Sequence, residues 1–359
     1  MDVEFIEFNI RRGLILKFFN NNKEVSISQL LKYVNDYPGI NTAKITLNRD
    51  LRELLELGWI IKVGQGRSTS YKLSLQYNLF RELDNNLYFK TESDKRSVKE
   101  KFDFGIFLLL EKASIFLADE IKLLKDLTKE YQKNIKNISP GILKKEFERL
   151  MIDLSWKSSK IEGNTYTLLE TEVLIRENKK AKNRTDKETI MIINHKKAFE
   201  YILSSKDNFK KISIAKIENV HYLLTKELNI SRNLRKTLVG ITGTKYRPLD
   251  NEHQIREALE KTCKLVNKIK NPFSKALLLM ILIAYIQPFE DGNKRTSRLL
   301  GNAILIANGI CPLSYSNADE IEYKKAVILF YELNNIRHFK MLFIAQFMFA
   351  IRHYFRIKM

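Results

Sequence analysis

Cysteine is nearly absent: Cys263 and Cys311 are the only two in 359 residues. Neither stands in a metal-ligand spacing, and both read as reduced core thiols of a cytoplasmic protein. The five histidines are scattered and form no zinc signature. Long apolar runs are missing too. Residues 276–286 and 341–351 are too short to cross a bilayer and suit buried helices, so no membrane partner is expected. The opening Met1-Asp2-Val3-Glu4 has no signal-peptide pattern. There is no internal repeat and no low-complexity tract. Acidic residues are in deficit, 42 against 62 Lys and Arg, for a net charge of +20. That excess favours a polyanionic partner, nucleic acid first. A lysine-rich, AT-rich genome would give the same excess, so charge alone leaves both open. What is present is ordinary for a globular chain, 44% apolar and 29% charged, and the length suits two or three domains with ample core.

The most informative stretch is 287–298, Gln-Pro-Phe-Glu-Asp-Gly-Asn-Lys-Arg-Thr-Ser-Arg. The apolar run 276–286 before it predicts a buried helix, which Pro288 stops. Asp291-Gly292-Asn293 is a turn, with Gly292 free to take positive φ. An amphipathic stretch, 296–306, begins the next helix. A turn whose N–H groups open into a helix N-terminus is an anion site. Arg295 and Arg298 lie three apart, on one side of the first helical turn. Their planar forks suit successive phosphates. Asp291 offers a hard oxygen to Mg²⁺, which keeps waters and bridges phosphates. Without further context, a charged loop between two core helices would also fit.

The stretch resembles the core motif of the Fic (Fido) family, His-Pro-Phe-x-Asp/Glu-Gly-Asn-Gly/Lys-Arg-x-x-Arg. Every specified position matches except the first, where Gln287 replaces the histidine used as general base. The resemblance covers about residues 142–350. It implies transfer of AMP from ATP to a Ser, Thr or Tyr hydroxyl of a target protein. Its roles, carried over by position, give Asp291 to Mg²⁺ and Gly292, Asn293 and Lys294 to the anion nest. Arg295 and Arg298 hold phosphates, with Asn293, Arg295, Arg298 and position 287 as the catalytic set. Asn302, Pro312, Tyr323 and Tyr331 fall where the family closes its adenosine pocket. An amide cannot take a proton in water. Loss of a general base costs about 10²–10⁴ in rate, so nucleotide binding is expected to survive and transfer to be nearly lost.

Upstream, 142–161 predicts an amphipathic helix ending in Ser158-Ser159-Lys160-Ile161-Glu162-Gly163. This resembles the family's inhibitory motif, Ser/Thr-x-x-x-Glu-Gly/Asn, filled by Ser158, Glu162 and Gly163. The resemblance implies that Glu162 pairs with Arg298, which then cannot hold a phosphate. Residues 188–203, with Asn194 and Ala198, are also similar to the family. So is 238–248, with Thr242, Gly243, Thr244, Lys245 and Tyr246 as a target-docking flap. Two short β runs around Gly243 read as a hairpin whose edge would take a target strand; a plain surface hairpin is the alternative.

The first 75 residues read as helix (8–19), helix (29–34, with Ser26 and Ser28 before it) and helix from Asn41-Thr42 to about Gly58. The third has Ile45, Leu47, Leu51, Leu54 and Leu55 as its apolar face. Strands 59–63 and 70–73 follow, joined by a Gly-rich loop. This is the order of a winged helix-turn-helix, and 46–51 resembles a bacterial recognition helix. Such a helix enters the major groove N-terminus first. Lys44, Thr46, Asn48 and Arg49 would then reach duplex DNA, with Arg67 on the wing. The order equally fits a protein-interaction module, and Arg49-Asp50 could be an internal ion pair. The expected organisation is a winged helix (1–75), a helical connector (76–140) and a Fic domain (141–359). The last includes the inhibitory helix (142–164), a core at 187–350 and a β-hairpin flap. The connector reads as a highly charged exposed loop or ragged helix at 91–101 and a helix over 104–133. The class is mainly α, and a homo-oligomer is compatible with it. A rival reading is a DNA-binding regulator whose Fic domain senses nucleotide without catalysis.

Overall fold

The computed structural model describes residues 10–74 and 76–356. The chain divides into two compact units, Met1–Glu82 with Leu108–Ile115, and Leu83–Phe107 with Phe116–Met359. The smaller unit contains α1 (Ile10–Asn21), β1 (Val25–Ser26), α2 (Ile27–Asn35), α3 (Lys44–Glu56), β2 (Ile60–Val63), β3 (Ser70–Leu73) and α4 (Tyr77–Phe80). The expected order of three helices and a hairpin is present. A short β1 adds a third strand, giving the order β1-β3-β2, all antiparallel. Ser26 caps α2, and Gln29 completes a capping box, which satisfies two otherwise orphan N–H groups. Leu30, Val34, Leu47, Leu51 and Leu54 form the core, and Trp59 stacks on Phe80. Two expectations differ. Phe8, where the first helix was expected to start, lies outside the described residues. Ile45 is 83% exposed rather than on the apolar face. Leu47, Leu51 and Leu54 already supply the buried stripe at helical spacing, and Ile45 falls outside it.

The larger unit is helical: α5 (Asn85–Lys90), α7 (Ala118–Asn137), α8 (Pro140–Lys160), α9 (Leu168–Glu177), α10 (Asp186–Ser204), α11 (Ile214–Thr225), α12 (Glu252–Lys268), α13 (Pro272–Ile286), α14 (Asn293–Ala307), α15 (Glu320–Leu333) and α16 (Arg337–His353). Helix α6 (Gly105–Lys112) spans the division at Phe107. The single helix expected over 104–133 is thus two, α6 and α7.

Helix α13 is the centre. Every residue from Ala276 to Ile286 is buried, so it must be covered on all sides. Helix α14 lies so close that a Cβ on Gly301 would sit 2.2 Å from Met280 Sδ. Helix α8 is capped by Ser139 with Pro140 in its first turn. Its outer turns are pinned by the end of the chain: Asp153 bonds Tyr354, the Arg149 guanidinium lies 4.6 Å over the Tyr354 ring, and Glu146 accepts from the Phe355 N–H. These contacts fix the helix whose far end carries Ser158 and Glu162.

Residues 91–101 are largely exposed, as expected; the exception is Arg96, buried against Glu332, which no local pattern encodes. The expected hairpin at 238–248 has no paired strands. The loop has one isolated parallel bridge, Lys101 with Arg247, and its carbonyls are taken by arginines instead.

Candidate functional site

The loop between α13 and α14 builds one wall of a cleft of about 450 Å³. Helix α13 ends at Gln287, whose backbone is left-handed at φ +50°. Its side chain is buried and turned back, with Nε2 donating to the Ala284 carbonyl at 2.6 Å and lying 3.2 Å from the Tyr331 hydroxyl. The following turn is clamped from inside by Asn293. Its Oδ1 accepts from the Phe289 N–H at 2.9 Å, and its Nδ2 donates to the Phe289 carbonyl at 2.8 Å. From outside it is held by His221, whose ring lies flat on Phe289 at 3.6 Å and donates from Nε2 to the Asp291 carbonyl at 3.0 Å. Burial pushes the His221 imidazole down to about 4, so the ring is neutral at ordinary pH.

Gly292 caps α14 at φ +79° and brings no side-chain acceptor. The first-turn N–H groups of α14 therefore keep the positive end of the helix open to the cleft. Asp291 is exposed, accepts from the Gly292 N–H at 2.6 Å and lies 3.6 Å from Arg295 Nη2. Among the described residues, Arg295 Nε and Nη1 are buried without a hydrogen-bond partner. Unsatisfied guanidinium nitrogens at this depth are costly unless an anion reaches them.

Arg298 joins the two motifs. Its Nε donates to Ser158 Oγ at 2.9 Å, and its Nη2 donates to the Ser158 carbonyl at 2.7 Å and to Glu162 Oε1 at 3.0 Å. Lys294 Nζ lies 3.4 Å from the other Glu162 oxygen. The Tyr323 ring faces the guanidinium at 5.1 Å. Burial raises the Glu162 carboxyl, but the charges of Arg298, Lys294 and Arg295 outweigh it and hold it below the usual carboxylate range. Gly163 then turns the chain at φ +95°.

Of the residues expected in the site, Glu162, Gly163, Gln287, Asp291, Gly292, Asn293 and Lys294 line the cleft, with Tyr323 and Tyr331 opposite. Arg295 and Arg298 lie buried behind them. Asn302 does not line it: both ends of its amide bond the Leu313 backbone, at 2.8 and 2.9 Å. In the flap, Thr242 lines the cleft, as do Val239 and Ile241. Tyr246 is no docking residue. It is buried, stacks 4.8 Å from Tyr285 and donates to the Tyr285 carbonyl at 2.8 Å. Its hydroxyl has a partner only in that position, so the ring is committed to the core.

Sequence reading missed two arginines. Arg235 is buried, and its guanidinium is held mainly by backbone carbonyls. It donates to the carbonyls of Gln287 (2.6 Å), Thr237 (2.7 Å) and Leu249, tying both ends of loop 237–249 to the motif. Arg96 holds the tip of the same loop. Neither is marked by a local pattern, because most of its acceptors lie far along the chain: Gln287 and Leu249 for Arg235, Glu332 and Gly243 for Arg96.

In the smaller unit Lys44, Asn48 and Arg49 are exposed on α3, and Thr46 is half-buried. The Arg67 side chain lies outside the described residues. Asp50 is not paired with Arg49: it takes Arg11 at 3.0 Å and Arg12 at 3.8 Å. Among the described residues, no group of three or more His, Cys, Asp or Glu is placed to hold a metal, and no helix is long and apolar enough to cross a membrane.

Residues 193–305 match the model of the Fic/DOC family, so a Fic/DOC domain occupies this part of the chain. The chain is 29% identical over 173 residues to a protein adenylyltransferase Fic of Nematostella vectensis, covering 47% of this chain and 40% of that one. It is 31% identical over 114 residues to a probable protein adenylyltransferase of Aquifex aeolicus, covering 30% and 34%. The chain thus spans about two fifths or less of the curated relatives it matches. Among solved structures, a Fic-1 fragment from C. elegans superposes with a TM-score of 0.56 at 20% identity, over 66% of this chain and 71% of that one. A Fic domain containing signaling protein from Bacteroides thetaiotaomicron gives 0.54 at 19%, over 66% and 100%. At such identities the structural likeness establishes the fold.

Proposed function

We propose that this Fic/DOC domain has the architecture of a protein adenylyltransferase, restrained in cis by Glu162 and nearly inactive with Gln287 at the base position. The observation that carries the reading is the Arg298 guanidinium, buried at an open helix N-terminus and occupied by Glu162. A carboxylate there stands in for a nucleotide phosphate. Gly292, Asn293 and Lys294 would cradle the phosphates of ATP, with Arg295 and Arg298 behind them. Asp291 fits Mg²⁺: a single exposed carboxylate suits an ion that keeps its waters and takes its other oxygens from phosphates. When bound, the ion offsets phosphate charge. In the transfer, the oxygen of a target Ser, Thr or Tyr hydroxyl bonds the α-phosphorus, the bond to the bridging oxygen breaks, and pyrophosphate leaves. The hydroxyl proton needs an acceptor, and the Gln287 amide is not one. The loop around Thr242 presents the target.

The smaller unit is read as a winged helix-turn-helix that binds duplex DNA through Lys44, Thr46, Asn48, Arg49 and Arg67. Localisation is cytoplasmic. One observation favours a second reading, a DNA-binding regulator that senses nucleotide: the Gln287 amide nitrogen is taken up by the Ala284 carbonyl of its own helix end and by the Tyr331 hydroxyl.

Labelling with α-radiolabelled ATP separates the two. Four forms are compared: unaltered, Gln287→His, Glu162→Gly, and both. Label on the double variant or on a lysate protein supports the transferase. A double variant that binds Mg-ATP and transfers nothing supports the sensor.

A further inference from the structure

The loop 237–249 runs over the cleft without strand pairing, so its position must be set by something other than a ladder. Arg235 secures its two ends. Its tip, Gly243 at φ +84°, is tied to a side chain 147 residues upstream: Arg96 Nη2 donates to the Gly243 carbonyl at 2.5 Å. Arg96 is itself fixed. Its Nη1 donates to Glu332 Oε2 at 2.9 Å, and both side chains are almost fully buried. Tyr88 donates to the same oxygen at 2.6 Å, and the guanidinium lies over the Tyr88 and Phe89 rings at 5.4 and 5.3 Å. The segment that carries Arg96 is bound along its length. The Lys99 N–H bonds the Glu332 carbonyl at 2.9 Å, and the Arg247 N–H bonds the Glu100 carbonyl at 2.8 Å.

We propose that Arg96 is a positioning residue for acceptor docking: its fork spans Glu332 and the Gly243 carbonyl and so sets the height of the loop tip over the cleft. Two features of the geometry support this. A guanidinium holds its N–H donors in a rigid planar fork, so Nη1 and Nη2 serve one partner each, where an ammonium is a single point of charge. Gly243 has only Ile328 Cδ1 near the place of a Cβ, at 3.7 Å, so packing alone holds the tip weakly. The same fork leaves the nucleotide side untouched, since Arg96 does not line the cleft. The docking role rests on the transferase reading above; the tethering does not.

The test uses the full chain. Arg96→Lys keeps a cation opposite Glu332 and gives up the planar fork that reaches the Gly243 carbonyl at the same time. Arg96→Met with Glu332→Met replaces both buried partners by apolar groups, which avoids an unpaired buried charge. Amide hydrogen exchange is read for residues 239–246 and for α13 and α14. The expected result in both variants is exchange at least tenfold faster in 239–246, with protection in α13 and α14 and Mg-ATP affinity unchanged within twofold. Placed in the Gln287→His, Glu162→Gly background, either variant should cut acceptor labelling at least fivefold. Unchanged exchange in 239–246 would overturn the tether. Faster exchange with full labelling would overturn the docking role. A background that takes no label refutes the transferase reading, and with it the docking role, while the exchange result still decides on the tether.

Discussion

Glu162 and Arg298 meet at 3.0 Å although 136 residues separate them, and the cleft-lining carboxylate occupies the guanidinium buried behind it. Any phosphate that binds Arg298 must first displace it. Glu162→Gly is therefore expected to tighten Mg-ATP binding about tenfold, roughly 1.4 kcal/mol. Calorimetry on the two forms checks this, and equal affinities would refute restraint in cis.

Restoring a base is expected to be tolerated structurally. Position 287 is a left-handed helix cap, which histidine adopts more readily than most residues. Gln287→His should shift the unfolding midpoint by no more than a few degrees. Labelling should remain low in either single variant and exceed their sum in the double, since both conditions apply to one transition state. Scanning calorimetry and self-labelling read the two halves.

Arg235 should be the costliest side chain to shorten around the motif. Arg235→Lys removes the fork that reaches the carbonyls of Gln287, Thr237 and Leu249 at once. A loss of about 3 kcal/mol, or roughly 5–10 °C in the midpoint of the larger unit, is expected. A midpoint within 2 °C of the parent, about the size of a 1 kcal/mol change, would show that the loop ends are held by other means.

Acid should weaken the fold through His221. Its folded value is about 4 against an ordinary 6.5, so the unfolded chain takes up a proton that the folded one refuses. Stability is intact above pH 6.5 and is lost as pH falls from there towards 4, by about 3 kcal/mol from this ring. His195, driven down by burial and then by Arg298 and Arg295, acts in the same direction. His221→Phe should flatten the fall in thermal midpoint across that window. An unaltered slope would mean that other groups carry it.

Full-length protein should shift duplex DNA at low salt, with log affinity falling by about 0.9 per log salt for each phosphate contacted. Arg49→Ala and Arg67→Ala should each weaken binding, and each should reduce the slope by about one if its contact is to phosphate. No shift on any duplex at low salt would make the smaller unit a protein-contact module.

Much of this is legible in the sequence alone. The uniform apolar run 276–286, the stop at Pro288 and the turn at Gly292 are local, and all three stand where the sequence puts them. Ser26 and Gln29 announce α2 in the same way. What local pattern does not carry is a bond between distant partners. Arg96 looks like one more charge in an exposed segment, and Arg235 like a surface cation, until their acceptors are in place. Tyr246 reads as part of a flap because nothing nearby reveals the Tyr285 and Tyr331 rings it stacks on. Loop 238–248 has hairpin-like composition, but a strand needs a partner, and its donors and acceptors find arginines and Glu100 first.

The division of the chain has a practical edge. The backbone passes between the units three times, after Glu82, after Phe107 and after Ile115. No single proteolytic cut can therefore release the smaller unit whole. A piece ending near residue 75 would lack Tyr77 and Phe80, which pack on Trp59, and also 108–115. A piece starting at residue 83 would carry Leu110 and Ile115, buried in the intact chain, without the rest of the unit to which they belong. Both fragments would expose apolar surface and tend to aggregate. Separating the two halves of this protein calls for a circular permutation or a designed join across 82 and 108, not a truncation.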